Sequence, residues 1–395
     1  MAGITAVRSV PQAIRELKRM NYQGEGWDSL REASRWAIKK VLEDHMERVR
    51  ESYLRGIRDQ GAADRGNGHY PRHLLTSMGD IELSVPRTRT FSAARALRAY
   101  ARREDCVDRM ILACFLLGLS TRKVGTALLP ILGEKVSAST VSRIAKTLDD
   151  AVAAFHRRRL KNKYRILVLD GVVLARKTGA GAIRHPVLVA MGITPEGKKE
   201  ILDFRLSRSE SEHDWELFLT DLYNRGLKGK GLKLIVTDGG KGLINALQTV
   251  LPGIPMQRCW AHKTRNITDK VKKTDRDRVK RDVQLIYNVT TIRQARGAAR
   301  RFADRWQGRY PKAVDCLRYD LDELLQSLKL DDPDWHKMSR TTNAIERRFR
   351  EVRRRTRPMG VFSDKTSVER ILYAVFSHLN KEEGTGAPFL LTQNN

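Results

Sequence analysis

Two short stretches constrain this chain more than anything else in it. Arg165 to Asp170 reads RILVLD and runs into Gly171; Leu232 to Asp238 reads LKLIVTD and runs into Gly239 and Gly240. Each is an apolar run that ends on an aspartate and meets glycine, the pattern of a buried strand with an acid at its C-terminal end. After the second, Leu243, Ile244, Leu247 and Val250 keep a helical spacing. Strands and helices in alternation predict an α/β sheet, and the C-terminal strand ends are where such sheets hold ligands. For Asp238 alone the simpler reading, a turn-starting helix cap, is the stronger one. The second segment changes that, because two carboxylates on one sheet edge can hold a hard cation. A third acid is offered by Glu346 in SRTTNAIERRFREVRRRTR, which reads as a helix with Asn343, Glu346, Arg350 and Arg353 on one face. The competing reading of Glu346 is a capping box with Asn343.

The order and spacing of these pieces resemble the DDE transposases, and most closely the Mutator-type transposases of bacterial insertion sequences. The motifs are LDG at Asp170, VTDGGKGLINAL at Asp238, PMQRCWAH from Pro255 to His262, and TTNAIERRFREVRRRTRPMGVF from Thr341 to Phe362. SESEHDW adds Glu210, Ser211 and Trp215, matching a Glu-Ser stretch before a tryptophan. The resemblance spans about residues 65 to 380 and implies a ribonuclease-H-like core. It also implies that Asp170, Asp238 and Glu346 act together on two Mg2+ ions, with Mn2+ as a substitute, to hydrolyse DNA at the element's ends and join the freed 3′-hydroxyl to target DNA. Cys259 and His262 could be half a zinc site, but no second pair follows nearby. The resemblance implies instead that they support the site, with His262 near the scissile phosphate.

Charge points the same way. The 395 residues carry a formal net charge of +29, far beyond what solubility asks, which predicts a polyanionic partner. No apolar run reaches 18 residues, and MAGITAVRSVPQ lacks the apolar core of a signal peptide, so a cytoplasmic protein with no membrane span is expected. Four scattered cysteines suit a reducing compartment.

The predicted architecture is multidomain α+β. A helical region at 1–62 contains one long helix from Trp27 to about Ile57, which would pack either within the chain or on another subunit. A hairpin segment at 63–103 turns at Gly79-Asp80. The stretch 104–160 is helical and has the shape of a helix-turn-helix, Thr121–Leu128 then Ser139–Leu148. Val141, Ile144 and Leu148 would face inward there, leaving Arg143 and Lys146 outward to meet DNA. The ribonuclease-H-like core follows at 161–271 and resumes at 335–383, with a flexible tail at 384–395. Its first strand is expected to end at Asp170, and Arg176–Arg184 to form a mobile glycine-rich loop. Glu346 lies 108 positions after Asp238, more than this fold needs, so 272–334 is expected to be an all-helical insertion domain. In that insertion Trp306 is either a core residue or a ring that stacks on a displaced base. Arg350 and Arg353 would hold phosphates beside the metals, with Arg347 and Arg354 as further DNA contacts. Homodimers or larger assemblies are implied, because two DNA ends must meet. A structure-selective nuclease or a non-catalytic DNA-binding regulator would use only part of this set.

Overall fold

The computed structural model describes residues 26–96, 103–178, 181–357 and 365–385, as a mixed α and β fold in two compact units that divide between positions 146 and 147. The unpatterned first 25 residues and most of the predicted tail lie outside the described residues.

In the first unit, helix α1 (Gly26–Asp59) is followed by the antiparallel strands β1 (Gly66–Thr76) and β2 (Gly79–Thr88). Ile81, Leu83 and Val85 alternate inward on β2 and meet Ile38, Leu42 and Met46 of α1, so the long helix packs within its own chain. The turn between the strands enters Gly79 at a φ of +114°, a conformation that glycine adopts without strain. Three helices complete the unit: α2 (Asp105–Leu116), α3 (Thr121–Leu132) and α4 (Ala138–Lys146). Ser120 caps α3 by accepting from the Lys123 N–H at 3.3 Å, and Ser137 accepts from the Thr140 N–H at 3.2 Å at the start of α4. On α4, Val141 and Ile144 are buried while Arg143 and Lys146 are exposed.

In the second unit, α5 (Leu148–Arg157) leads into a five-stranded sheet of order β5-β4-β3-β6-β7. The strands are β3 (Ile166–Thr178), β4 (Gly181–Ile193), β5 (Lys199–Leu206), β6 (Leu234–Thr237) and β7 (Met256–Arg258). The first three are antiparallel neighbours, whereas β6 runs parallel to β3 and β7 parallel to β6. One face is covered by α6 (Glu212–Asn224) and α7 (Lys241–Val250), whose Trp215, Phe218, Leu243 and Leu247 pack on Leu167, Leu169, Leu188 and Ala190. The other carries α14 (Asn343–Thr356) and α15 (Lys365–Glu382), with Phe349 and Phe204 edge-on to Phe376.

Two expectations are corrected here. β3 does not stop at Asp170 but continues for eight residues, pairing Asp170 with Val189 and Thr178 with Gly181. The stretch predicted as a loop from Arg176 is therefore strand on both limbs, and only positions 179 and 180 fall outside the described residues. Val172 buried and Val173 exposed keep the strand's period of two past the acid, and glycine next to an aspartate did not break a ladder that β4 was able to complete.

Between β7 and α14 the described chain is all helical: α8 (Trp260–Thr268), α9 (Arg276–Tyr287), α10 (Ile292–Trp306), α11 (Pro311–Arg318), the short α12 (Leu321–Leu324) and α13 (Pro333–Ser339). The helices from α8 to α12 share a core of their own around Val279, Val283, Ala298, Phe302 and Leu317. The Leu324 carbonyl anchors that core to the sheet by accepting from the Trp260 indole at 2.8 Å and the Gln257 amide at 2.7 Å.

Candidate active site

The alternation of β3 decides where its acid points. Leu167 and Leu169 face α6 and α7, so Asp170 faces the opposite side, the one that receives α14. Asp170 is only 3% exposed, and burial pushes its carboxyl up to about 7. The His262 charge and a hydrogen bond from Thr342 oppose that shift, while the negative charges of Asp238 and Glu346 add to it. Asp238 follows the last residue of β6 and is half-buried; one of its oxygens accepts from the Gly240 N–H at 3.0 Å. Asp238 thus starts the turn, but the cap of α7 is Gly240 with no side-chain cap bond, and the turn occupies one carboxylate oxygen only.

For Glu346 the cap reading fails. Helix α14 starts at Asn343, and the residue before it, Thr342, is the N-cap; Asn343 is already helical and makes no box with Glu346. The Glu346 carboxylate, with 40% of its side chain exposed, instead faces His262 Nε2 at 3.9 Å and Arg265 Nη2 at 3.8 Å.

Cys259 and His262 flank the first turn of α8. Hydrogen bonding toward the Cys259 sulfur raises His262 to about 9 against the effect of burial, and the charges on Cys259, Asp170 and Asp238 act in the same direction. Cys259 is 1% exposed; burial alone would raise its thiol, but His262 brings it below the usual value. Among the described residues no group of three His, Cys, Asp or Glu side chains is gathered closely enough to cage a metal as it stands.

Several partners were not singled out from local pattern. Thr342 contacts both Asp170 and Cys259. In SESEHDW, Ser211 caps α6 and Trp215 is buried, which leaves Glu210 as the residue aimed at the site. A Cβ on Gly171 would stand 2.5 Å from the Glu210 carboxyl carbon, so the glycine after the first acid makes room for it. Burial pushes Glu210 up, and the Asp238 charge adds to that. Arg258 braces the second acid: its Nη2 donates to the Gly239 carbonyl at 2.6 Å, and the same guanidinium pairs with buried Asp320 and with Glu323 at 3.0 Å. Asp320 pairs with Lys263 as well. The signal for Arg258 was its place in PMQRCWAH; for Thr342 it was the threonine pair before the Glu346 helix.

The remaining sequence candidates separate. Arg350 is exposed and Arg353 half-exposed, one and two turns along α14 from Glu346; Arg347 is exposed, and Arg354 pairs with Glu351 at 2.9 Å. Trp306 is 5% exposed inside the helical core, and its indole donates to Asp282 at 2.8 Å. Arg143 and Lys146 belong to the first unit. No described helix is long and apolar enough to cross a membrane.

The model of the family described as "Transposase, Mutator family" matches residues 7–384. The chain is 33% identical over 315 residues to the transposase for insertion sequence element IS905 of Lactococcus lactis, covering 80% of this chain and 79% of that one. It is 31% identical to the transposase for ISRM5 of Rhizobium meliloti, covering 88% and 87% of the two chains. It is also 31% identical to that for IS256 in transposon Tn4001 of Staphylococcus aureus, covering 89% and 91%. With likeness of that extent along nearly its whole length, the chain belongs to the Mutator family of transposases.

Proposed function

We propose that this protein is a DDE transposase with a ribonuclease-H-like core interrupted by the helical insertion, which binds the terminal inverted repeats of an insertion sequence, cleaves their 3′ ends and joins them to target DNA. The observation that carries the reading is that Asp170, within β3, and Asp238, just past β6, each stand two residues beyond the paired Val168 and Val236 of neighbouring parallel strands, and that Glu346 of a distant helix is near enough for its charge to reach buried Asp170. Their donor set is all carboxylate oxygen, and the first acid is buried beside two like charges, an arrangement that fits a hard divalent cation. Asp170, Asp238 and Glu346 would hold Mg2+, or Mn2+ in its place. Bound there, the ions supply an activated water or 3′-hydroxyl and stabilise the departing oxygen.

The chain's own groups do the rest. His262, between Cys259 and Glu346, would donate a hydrogen bond to a phosphate oxygen. Arg350, Arg353 and Arg347 on the Glu346 helix would hold the flanking phosphates, where guanidinium forks match phosphate geometry. Exposed Arg143 and Lys146 on α4 would contact the terminal repeats in the manner of a helix-turn-helix. Two DNA ends must be brought together, so the working form would be a dimer or larger, on DNA in the bacterial cytoplasm.

The test is a strand-transfer assay on DNA carrying the element's ends, with Asp170→Asn, Asp238→Asn and Glu346→Gln. Each is expected to lose more than the roughly 100-fold that removing an outer partner costs, while gel-shift binding of the ends persists. Joining left intact in all three variants would overturn the reading. Cleavage without joining by the wild type would make it a nuclease, and binding without either reaction a regulator.

A further inference from the structure

We infer that Arg258 is a positioning residue, clamped by Asp320 of the helical segment, which fixes the turn after Asp238 and so sets how tightly the three acids take a divalent cation. Arg258 ends β7 and is the register partner of Thr237 at the end of β6. From there its guanidinium spans two elements. Nη2 donates to the Gly239 carbonyl at 2.6 Å and Nη1 donates to the Asp320 carboxylate, while Nε pairs with Glu323 at 3.0 Å. Gly239 leaves room for this: its φ of +87° suits glycine, and a Cβ there would run into the guanidinium. The turn is held at its other groups too. The Gly239 N–H donates to Thr237 Oγ1 at 3.1 Å, and the Gly240 N–H to one Asp238 oxygen at 3.0 Å, which leaves the other Asp238 oxygen for a ligand.

Asp320 makes the clamp rigid. It is buried at the N-cap of α12, and its carboxylate pairs with Lys263 of α8 as well as with Arg258. Arg258 cannot swing away to solvent without leaving that carboxylate short of a partner in the interior, which is costly. The helical segment therefore acts on the second acid through one side chain. A lysine in its place would carry the same charge as a point, able to meet Asp320 or the Gly239 carbonyl and not both. Outer partners that orient metal-binding groups in this way are worth about 10–100-fold in metal affinity or activity.

The inference rests on the three-acid reading, and the experiment separates the two. The full chain, free of DNA, is titrated with MnCl2 and followed by thermal melting. A ligand bound only by the folded state stabilises it by RT ln(1 + [L]/Kd), so Tm begins to climb as [L] passes Kd. The wild type is expected to gain Tm, and Asp170→Asn to lose the gain. Arg258→Lys, with the net charge unchanged, is expected to move the onset up by about 10–100-fold in MnCl2, and the MnCl2 needed for strand transfer should rise with it. Tyr310→Phe is the control: it removes a hydrogen bond to Asp275 inside the same helical segment, and should lower the metal-free Tm without moving the onset. A wild-type onset for Arg258→Lys, whatever its metal-free Tm, overturns the inference alone, and so does an onset that Tyr310→Phe moves as far. A wild type with no MnCl2 response overturns the three-acid reading and the inference together. Should Arg258→Lys fail to fold, Asp320→Glu, which shifts the carboxylate against the guanidinium at constant charge, carries the same comparison, and an unchanged onset again overturns the inference.

Discussion

Asp64 shows how much one side chain can organise. It accepts from the Thr88 and Thr90 hydroxyls and from the Arg89 and Thr90 N–H groups, tying the chain after α1 to the end of β2. Led by the two hydroxyls, these donors hold its carboxyl well below the usual carboxylate range. A folded pKa below the unfolded one contributes stability that is full above the unfolded value, about 3.9, and is lost as pH falls toward the folded one. Thermal melts from neutral pH down through that window are therefore expected to show an acid-dependent loss that Asp64→Asn flattens. Equal acid slopes for the two proteins would count against it. Glu346 makes the same point inside the site: shifting the helix start by one residue, from Asn343 as cap to Asn343 as first helical residue, releases its carboxylate from capping and turns it to His262.

At the scale of elements, the helical segment between β7 and α14 is bound to the sheet through specific struts. Arg258 reaches from the Gly239 carbonyl beside the second acid to Asp320 at the start of α12. Trp306 belongs to that segment's interior, with its ring beside Tyr310 and its indole on Asp282. Trp306→Ala is expected to cost about 3–5 kcal/mol, as for large aromatic side chains cut back in a core, read as a fall in Tm or in the denaturant midpoint. An unchanged Tm with weakened DNA binding would instead favour the base-stacking role. Most of these elements were legible in the residues: the hairpin turning at Gly79-Asp80, the helix from Trp27 to about Ile57, the apolar spacing of α7. The continuation of β3 past Asp170 was not, because a glycine after an aspartate reads as a turn unless a partner strand is known to complete the ladder.

For the whole molecule the governing quantity is charge. A net +29 makes binding to DNA a matter of counterion release, so the logarithm of the binding constant should fall linearly with the logarithm of salt. Between about 50 and 200 mM salt, Arg350→Ala and Arg353→Ala are each expected to reduce that slope by about 0.9, the share of one phosphate contact. Fluorescence anisotropy with end-sequence DNA measures it. Slopes equal to the wild type would place those arginines away from the backbone.

The residues by themselves determined most of the elements and the family, and singled out the three acids as candidates, since strand alternation, helical spacing and short motifs are local and each is written within a few consecutive positions. They did not determine which groups surround the acids. Thr342 beside Asp170, Glu210 over Gly171 and Arg258 against Gly239 join positions tens to more than a hundred residues apart or across opposed faces. Only the packing of α14, the α6 start and the helical segment onto the sheet decided them, because contact across such separations depends on how elements dock and no local periodicity records it.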